Sequence, residues 1–296
     1  VHGQDIVWIP VGQSADERGC TELALVLEAR GIAWRQDRGV EQWLLSVRAE
    51  DAALAARELN AYRRENARGS AVTQPPAMVG GGWFGVLSFV TVLFLVAVLA
   101  HELAFDIDWR AIGRMDAARL LEGEGWRALT ALTLHADTIH LLGNVAFGAL
   151  FTYFVARYLG GGVGWIAILA SGALANALNG WLTGPDHRSL GASTAVFGAL
   201  GLLTAFTWHR GFPRGTTRRS RMAPIVAGIA LLAFTGTAGQ NTDLGGHLLG
   251  FAVGFLIGLG AARLPVPGSA RIQLTAGAAA WLLVAGAWAW GILATL

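Results

Sequence analysis

Apolar and polar positions follow two different rhythms along the chain. Up to about residue 65 they alternate on short periods; beyond residue 82 they separate into long apolar runs joined by short polar connectors. In the first region, residues 6–12 (IVWIPVG) predict a strand, and residues 16–30 predict a helix with Leu23, Val26 and Leu27 on one face and Gly31 as its stop. The stretches IAWRQ and QWLLSV flank Asp37-Arg38-Gly39 as two strands flank a hairpin turn, and a second helix from about Glu50 to Glu65 would bury Ala55, Leu59 and Tyr62. The resulting β-α-β-β-α order is that of a small two-layer α+β domain over residues 1–68. So short a segment makes only a modest core, near the lower size limit for independent stability. It suits an interaction or regulatory module better than chemistry. Residues 69–82 lack periodicity and carry Pro75-Pro76 and Gly80-Gly81-Gly82, which is linker composition.

Seven apolar runs follow, near residues 83–104, 138–157, 163–183, 191–209, 222–238, 244–262 and 273–295. Most approach the ~20 residues that a helix needs to cross ~30 Å of hydrocarbon, the fifth being short. The expected fold is therefore an all-α polytopic membrane bundle with the α+β domain in front of it. Composition agrees: 54% of the 296 residues are hydrophobic and 14% charged, too apolar for a soluble chain of this length. The basic groups are all arginine, and they form no stripe interleaved with aromatics, so nucleic acid is not an expected partner.

The arginines instead predict topology. Connector 209–221 holds Arg210, Arg214, Arg218, Arg219 and Arg221, and the same side would receive Arg157, Arg263, Arg271 and the N-terminal domain, marking that side as cytoplasmic. The outer side would receive residues 105–137, 183–190 and 236–245. Within the first of these, residues 105–124 set Trp109, Ile112, Leu120 and Leu121 among charges, the pattern of a short amphipathic helix lying along the interface. The single cysteine, Cys20, can form no internal disulfide and reads as a buried, reduced core residue.

If the spans alternate, the starts of the second, fourth and sixth runs all lie on the outer side, and those starts hold the unusual polar residues. They are His140 and Asn144, then Ser193, then His247. His140 and Asn144, four apart, share one helix face. Polar side chains in hydrocarbon are expensive and usually mark a functional interior. Together these residues have the parts for acyl transfer: Ser193 as nucleophile, His247 as general base and then acid, and His140 and Asn144 as donors to an oxyanion. No aspartate is placed to orient His247, so the expected unit is a dyad.

Glycine supplies the proximity. Gly246, Gly250, Gly254 and Gly258 recur every fourth residue on the sixth run, and Gly191, Gly198 and Gly201 lie on the fourth. Small residues at such spacing let two helix backbones approach closely. Taken alone, Ser193 would read as a packing residue and His247 as an interfacial group; their partners on other runs favour chemistry. Competing motifs fail: Phe105 stands where H-E-x-x-H needs its second histidine, and Ala195 replaces the last glycine of G-x-S-x-G. His135 and His140, five apart, do not share a face as a metal pair would. No metal or organic cofactor is implied.

GAST and AVFG at 191–198, HADTIHLLGN at 135–144, Trp126-Arg127 and DLGGHLLGFAVG at 243–254 together resemble a rhomboid intramembrane serine protease. The likeness covers residues 83–262, six of the seven runs; the seventh, within residues 263–296, and the N-terminal domain lie outside it. The resemblance implies that Ser193 and His247 form the dyad and that His140 and Asn144 help to form the oxyanion hole. It implies supporting roles for Trp126 and Arg127 in a partly embedded first loop, and for His135 in loop and water structure. Phe197, four after the serine, would lie under His247. Gly191, Gly250 and Gly254 would support the close packing.

Thr194 stands where the family usually has glycine after the serine. That departure keeps open a second reading, a catalytically inactive relative that binds membrane-protein clients. The first reading implies transmembrane protein substrates in a lipid bilayer, an active site opening to the outer side of the cytoplasmic membrane, and a cytoplasmic partner for the N-terminal domain.

Overall fold

The computed structural model describes residues 7–39, 42–67, 79–80, 82–210, 218–236, 243–265 and 268–295. Most of the linker, Arg214 and the rest of connector 211–217, and residues 237–242 lie outside these ranges. The chain divides into two compact units, residues 1–72 and 73–296.

In the first unit, β1 (Trp8–Ser14), α1 (Glu17–Glu28), β2 (Trp34–Arg38), β3 (Trp43–Arg48) and α2 (Ala52–Ala67) follow in order, and the antiparallel sheet runs β1-β3-β2. Asp16 starts α1 by accepting from the Gly19 N–H at 2.7 Å. Asp37 and Arg38 belong to β2, paired with Leu44 and Trp43, so the hairpin connection begins at Gly39, later than the turn expected from sequence. The ladder of cross-strand bonds overrides the local turn signal of an aspartate beside arginine and glycine. Between Pro10 and Gly12 the β1–β3 register shifts, where proline cannot donate to the ladder. Cys20, Leu27, Leu45, Val47, Ala55 and Leu59 fill the space between sheet and helices. Burial pushes the Cys20 thiol pKa up, which keeps it protonated and unreactive.

The second unit is helical. Its long helices are α3 (Trp83–His101), α7 (Thr138–Leu159), α8 (Gly161–Thr183), α9 (Ser193–Arg210), α10 (Arg218–Gly236), α11 (Leu244–Arg263) and α12 (Ala270–Thr295). Among the described residues, α3, α7, α8, α11 and α12 are long and apolar enough to cross a membrane on those grounds alone. The other two fall short of the seven expected. Among its described side chains the apolar stretch of α10 is Met222–Phe234, and Pro224 lies inside the helix. α9 is buried over most of its length and packs against α7, α8, α10 and α11, so protein rather than lipid surrounds it and its composition is less constrained. Outward faces are apolar: Trp83, Leu87, Leu150, Trp181, Leu256 and Leu282 are exposed.

The segment before α7 is not one amphipathic helix. It is divided into α4 (Trp109–Gly113), β4 (Met115–Asp116), α5 (Ala117–Leu121) and α6 (Arg127–Thr130). Two aspartates cause the break: Asp108 caps α4 through the Ala111 N–H, and Asp116 caps α5 through the Arg119 N–H, with extended residues between. β4 pairs with β5 (Arg188–Ser189) in the loop that leads into α9. Arg188 hydrogen-bonds Asp116 at 3.1 Å across that pair. Burial would raise the Asp116 pKa, but the Arg188 bond, the Arg119 N–H and the nearby arginine charges outweigh it and hold the carboxyl below its ordinary value.

Candidate active site

Ser193 opens α9, and the chain reaches it through a turn only glycine tolerates. Gly191 has φ 137°, and its N–H donates to the Ala131 carbonyl at 2.9 Å. A Cβ at that position would lie 2.7 Å from His140 Cε1, 2.9 Å from His140 Nε2 and 3.7 Å from Ser193 Oγ. The space left by the missing methyl is therefore bordered by both the imidazole and the hydroxyl. Helix α9 also turns its first N–H groups, which have no intrahelical acceptor, out of this end.

His140 and Asn144 come from the start of α7. Asp137 caps that helix by accepting from the His140 N–H at 2.8 Å, which fixes where the imidazole leaves the backbone. One turn on, buried Asn144 donates through Nδ2 to the His140 carbonyl at 3.1 Å. His135 lies in the preceding loop, its ring 5.1 Å from that of His140 and its Nε2 at 3.5 Å from the Ala192 N–H. Burial, helped by the His140 ring, pushes the His135 pKa down to about 3 against the opposing pull of the Thr133 backbone and Asp137. The ring is neutral at physiological pH and lies against the backbone just before Ser193.

His247 lies one turn inside α11 and is buried. Phe197, one turn below Ser193 on α9, packs on it with ring centroids 4.4 Å apart and planes at 43°. The backbones of the two helices touch along a glycine seam. A Cβ on Gly250 would strike the Thr194 carbonyl, one on Gly254 the Gly198 carbonyl, and one on Gly258 would lie 2.7 Å from the Leu202 carbonyl. From the other side, a Cβ on Gly201 would strike the Phe251 carbonyl. The seam sets the register: Thr194 lies opposite Gly250, so the turn that holds Ser193 faces the turn that holds His247. Thr194 is buried toward α11, its Oγ1 3.2 Å from where a Cβ on Gly246 would stand.

Trp126 and Arg127 are not brought into this group. Trp126 donates from Nε1 to the Ile112 carbonyl at 3.1 Å and packs on Trp290 of α12. Arg127 is fully buried, bonding the Ala111 and Arg114 carbonyls at 3.0 and 2.9 Å and pairing with Glu124. Both hold the segment before α7 in shape.

Sequence reasoning missed Asn179. Its Nδ2 lies 3.0 and 2.9 Å from the two carboxylate oxygens of Asp243 and 3.1 Å from His187 Nε2. An asparagine within an apolar run was the available signal; its partners, far away in sequence, were not legible.

Residues 122–264 match the rhomboid domain. The chain carries a rhomboid domain. Among curated relatives, it is 29% identical over 174 residues to the rhomboid relative YdcA of Bacillus subtilis (strain 168), covering 58% of this chain and 84% of that protein. It is 33% identical over 141 residues to Rhomboid-like protease 1 of Toxoplasma gondii, covering 46% of this chain and 48% of that one. Against Rhomboid protease GluP of B. subtilis, identity is 32% over 158 residues, 53% of this chain and 29% of the relative. The chain thus spans most of YdcA but about half or less of the other two. The rhomboid domain, together with the apolar helices, makes this a rhomboid-type, multi-span membrane protein.

Proposed function

We propose that this rhomboid is a serine endopeptidase that cleaves the transmembrane segments of other membrane proteins near their outer ends, through Ser193 and His247. The observation that carries this reading is the glycine seam, which registers the Ser193 turn of α9 against the His247 turn of α11, with the Phe197 ring packed at a tilt against the imidazole.

In this reading His247 accepts the Ser193 hydroxyl proton as Oγ attacks the scissile carbonyl. Negative charge then develops on the carbonyl oxygen beside the first N–H groups of α9, His140 and the amide of Asn144. His247 passes its proton to the departing amine, leaving an ester on Ser193. Water, reaching the site from the outer side, gives a proton to His247 and attacks the ester; His247 returns that proton to Ser193 Oγ as the ester bond breaks and the acid leaves.

Arginine position supports the orientation. Arg210 at the end of α9 donates to the Leu264 carbonyl just past α11 at 2.6 Å, so these arginine-bearing ends lie together, opposite the Ser193 end; we assign them to the cytoplasmic face. The inactive, client-binding alternative rests on Thr194, and the burial of that side chain beside Gly246 of α11 supports the enzyme.

A fluorophosphonate probe tests the nucleophile. Purified protein in detergent should be labelled on Ser193, with labelling lost in Ser193→Ala and strongly reduced in His247→Ala. Labelling elsewhere, or labelling that ignores His247, would remove the dyad.

A further inference from the structure

The first turn of α11 is a poor helix start, and a group of polar residues outside the dyad holds it. Leu244-Gly245-Gly246 puts two glycines ahead of His247, each costing about 1 kcal/mol relative to alanine in a helix. Left to itself this turn would fray, and His247 with it, since the His247 N–H bonds the Asp243 carbonyl at 3.1 Å. Asp243 prevents this. One carboxylate oxygen caps the helix at the Gly246 N–H, 2.9 Å away. The same carboxylate accepts from buried Asn179 of α8 and lies 3.3 Å from His187 Nε2.

Each partner has a reason to be where it is. Gly245 is glycine because Asn179 Oδ1 would lie 2.6 Å from any Cβ there. His187 belongs to the loop that continues through Arg188 and Gly191 to Ser193. Its carbonyl accepts from the Ala117 N–H at 3.0 Å, and the neighbouring Arg188 bonds Asp116, so the loop is also tied to the segment before α7. One carboxylate therefore joins the helix that bears His247, the helix α8 beside it, and the loop that delivers Ser193.

We propose that Asn179, His187 and Asp243 are positioning residues for the Ser193–His247 reaction, an assignment that rests on the protease reading. They touch no substrate. They set where His247 stands relative to the serine, and a displacement of about 1 Å at a reacting group can cost on the order of 100-fold in rate.

The test separates this role from helix capping. Asn179→Ala leaves the cap intact and removes the tie to α8. Asp243→Ser keeps a capping oxygen but cannot reach Asn179 or His187. Asp243→Asn keeps both the cap and the reach, with Asn179 free to reverse its amide. In full-length protein in liposomes, Asn179→Ala and Asp243→Ser should each lower kcat about tenfold, equivalent to about 1.4 kcal/mol, with KM within about twofold. Fluorophosphonate labelling should slow in parallel, the double variant should be no worse than the worse single, and Asp243→Asn should recover most of the loss. Wild-type kcat in both tie-breaking variants, a loss confined to KM, or additive losses would overturn the assignment while Ser193→Ala still abolished cleavage. A wild type that cleaves no better than Ser193→Ala would overturn the protease reading and this assignment with it.

Discussion

Next to the serine, Thr194 directs a β-branched side chain into the α9–α11 seam, where the absent side chain of Gly246 makes room for it. Thr194→Gly should therefore lower stability by about 1 kcal/mol through helix propensity and lost packing, and leave kcat within about twofold. Unfolding in detergent and steady-state cleavage measure the two; a kcat gain of about tenfold or more would mean that threonine crowds the oxyanion after all. His135 makes a pH prediction of definite sign. Its folded pKa of about 3 lies below the ordinary 6.5. The stability it contributes is therefore complete above about pH 6.5 and lost as pH falls toward 3, where the unfolded chain takes a proton that the folded chain refuses. Between about pH 7 and pH 5 the unfolding temperature of the wild type should fall more steeply than that of His135→Gln; parallel curves would contradict the burial argument. At this scale Ser193, His140, Asn144 and His247 stand out as candidates in the sequence because each places a polar group in an apolar run. Asn179 gave the same signal without its meaning, since no spacing rule connects α8 to Asp243.

Helix α11 shows how an element is shaped by one neighbour. Gly254 faces the Gly198 carbonyl of α9 across the seam, whereas Gly260 of the same helix has nothing within 4 Å of its would-be Cβ. Gly254→Ala should destabilise the bundle by about 1–3 kcal/mol through overpacking, while Gly260→Ala should be neutral or stabilising by up to about 1 kcal/mol. Reversible unfolding in mixed micelles reads both, and equal effects would argue that the seam is not tight. The four-residue glycine period made this seam legible. The segment before α7 was less so, because its apolar and charged residues fit an amphipathic helix, and only the two capping aspartates reveal where it breaks. Helix α12 likewise read simply as a span. Its Gln273 in fact clamps the α7–α8 junction, accepting from the Gly162 and Val163 N–H groups at 3.0 and 3.1 Å and donating to the Leu159 carbonyl at 3.0 Å. Trp288 of the same helix donates to Thr133 at 3.2 Å, just before His135.

For the whole molecule, the division into an α+β unit and a membrane bundle follows from hydropathy alone, since no soluble core explains so many apolar residues. How many helices cross the bilayer unaided did not follow, because α9 is surrounded by protein and the described apolar stretch of α10 is short. The central claim concerns the bundle: one serine and one histidine, held in register by glycines, hydrolyse peptide bonds in membrane-embedded substrates. Its most direct measurement is cleavage of a transmembrane substrate co-reconstituted in liposomes with wild type, Ser193→Ala or His247→Ala. The account predicts one defined cleavage by wild type and a loss of at least about 1,000-fold in both variants. Cleavage by Ser193→Ala at the wild-type rate would contradict it.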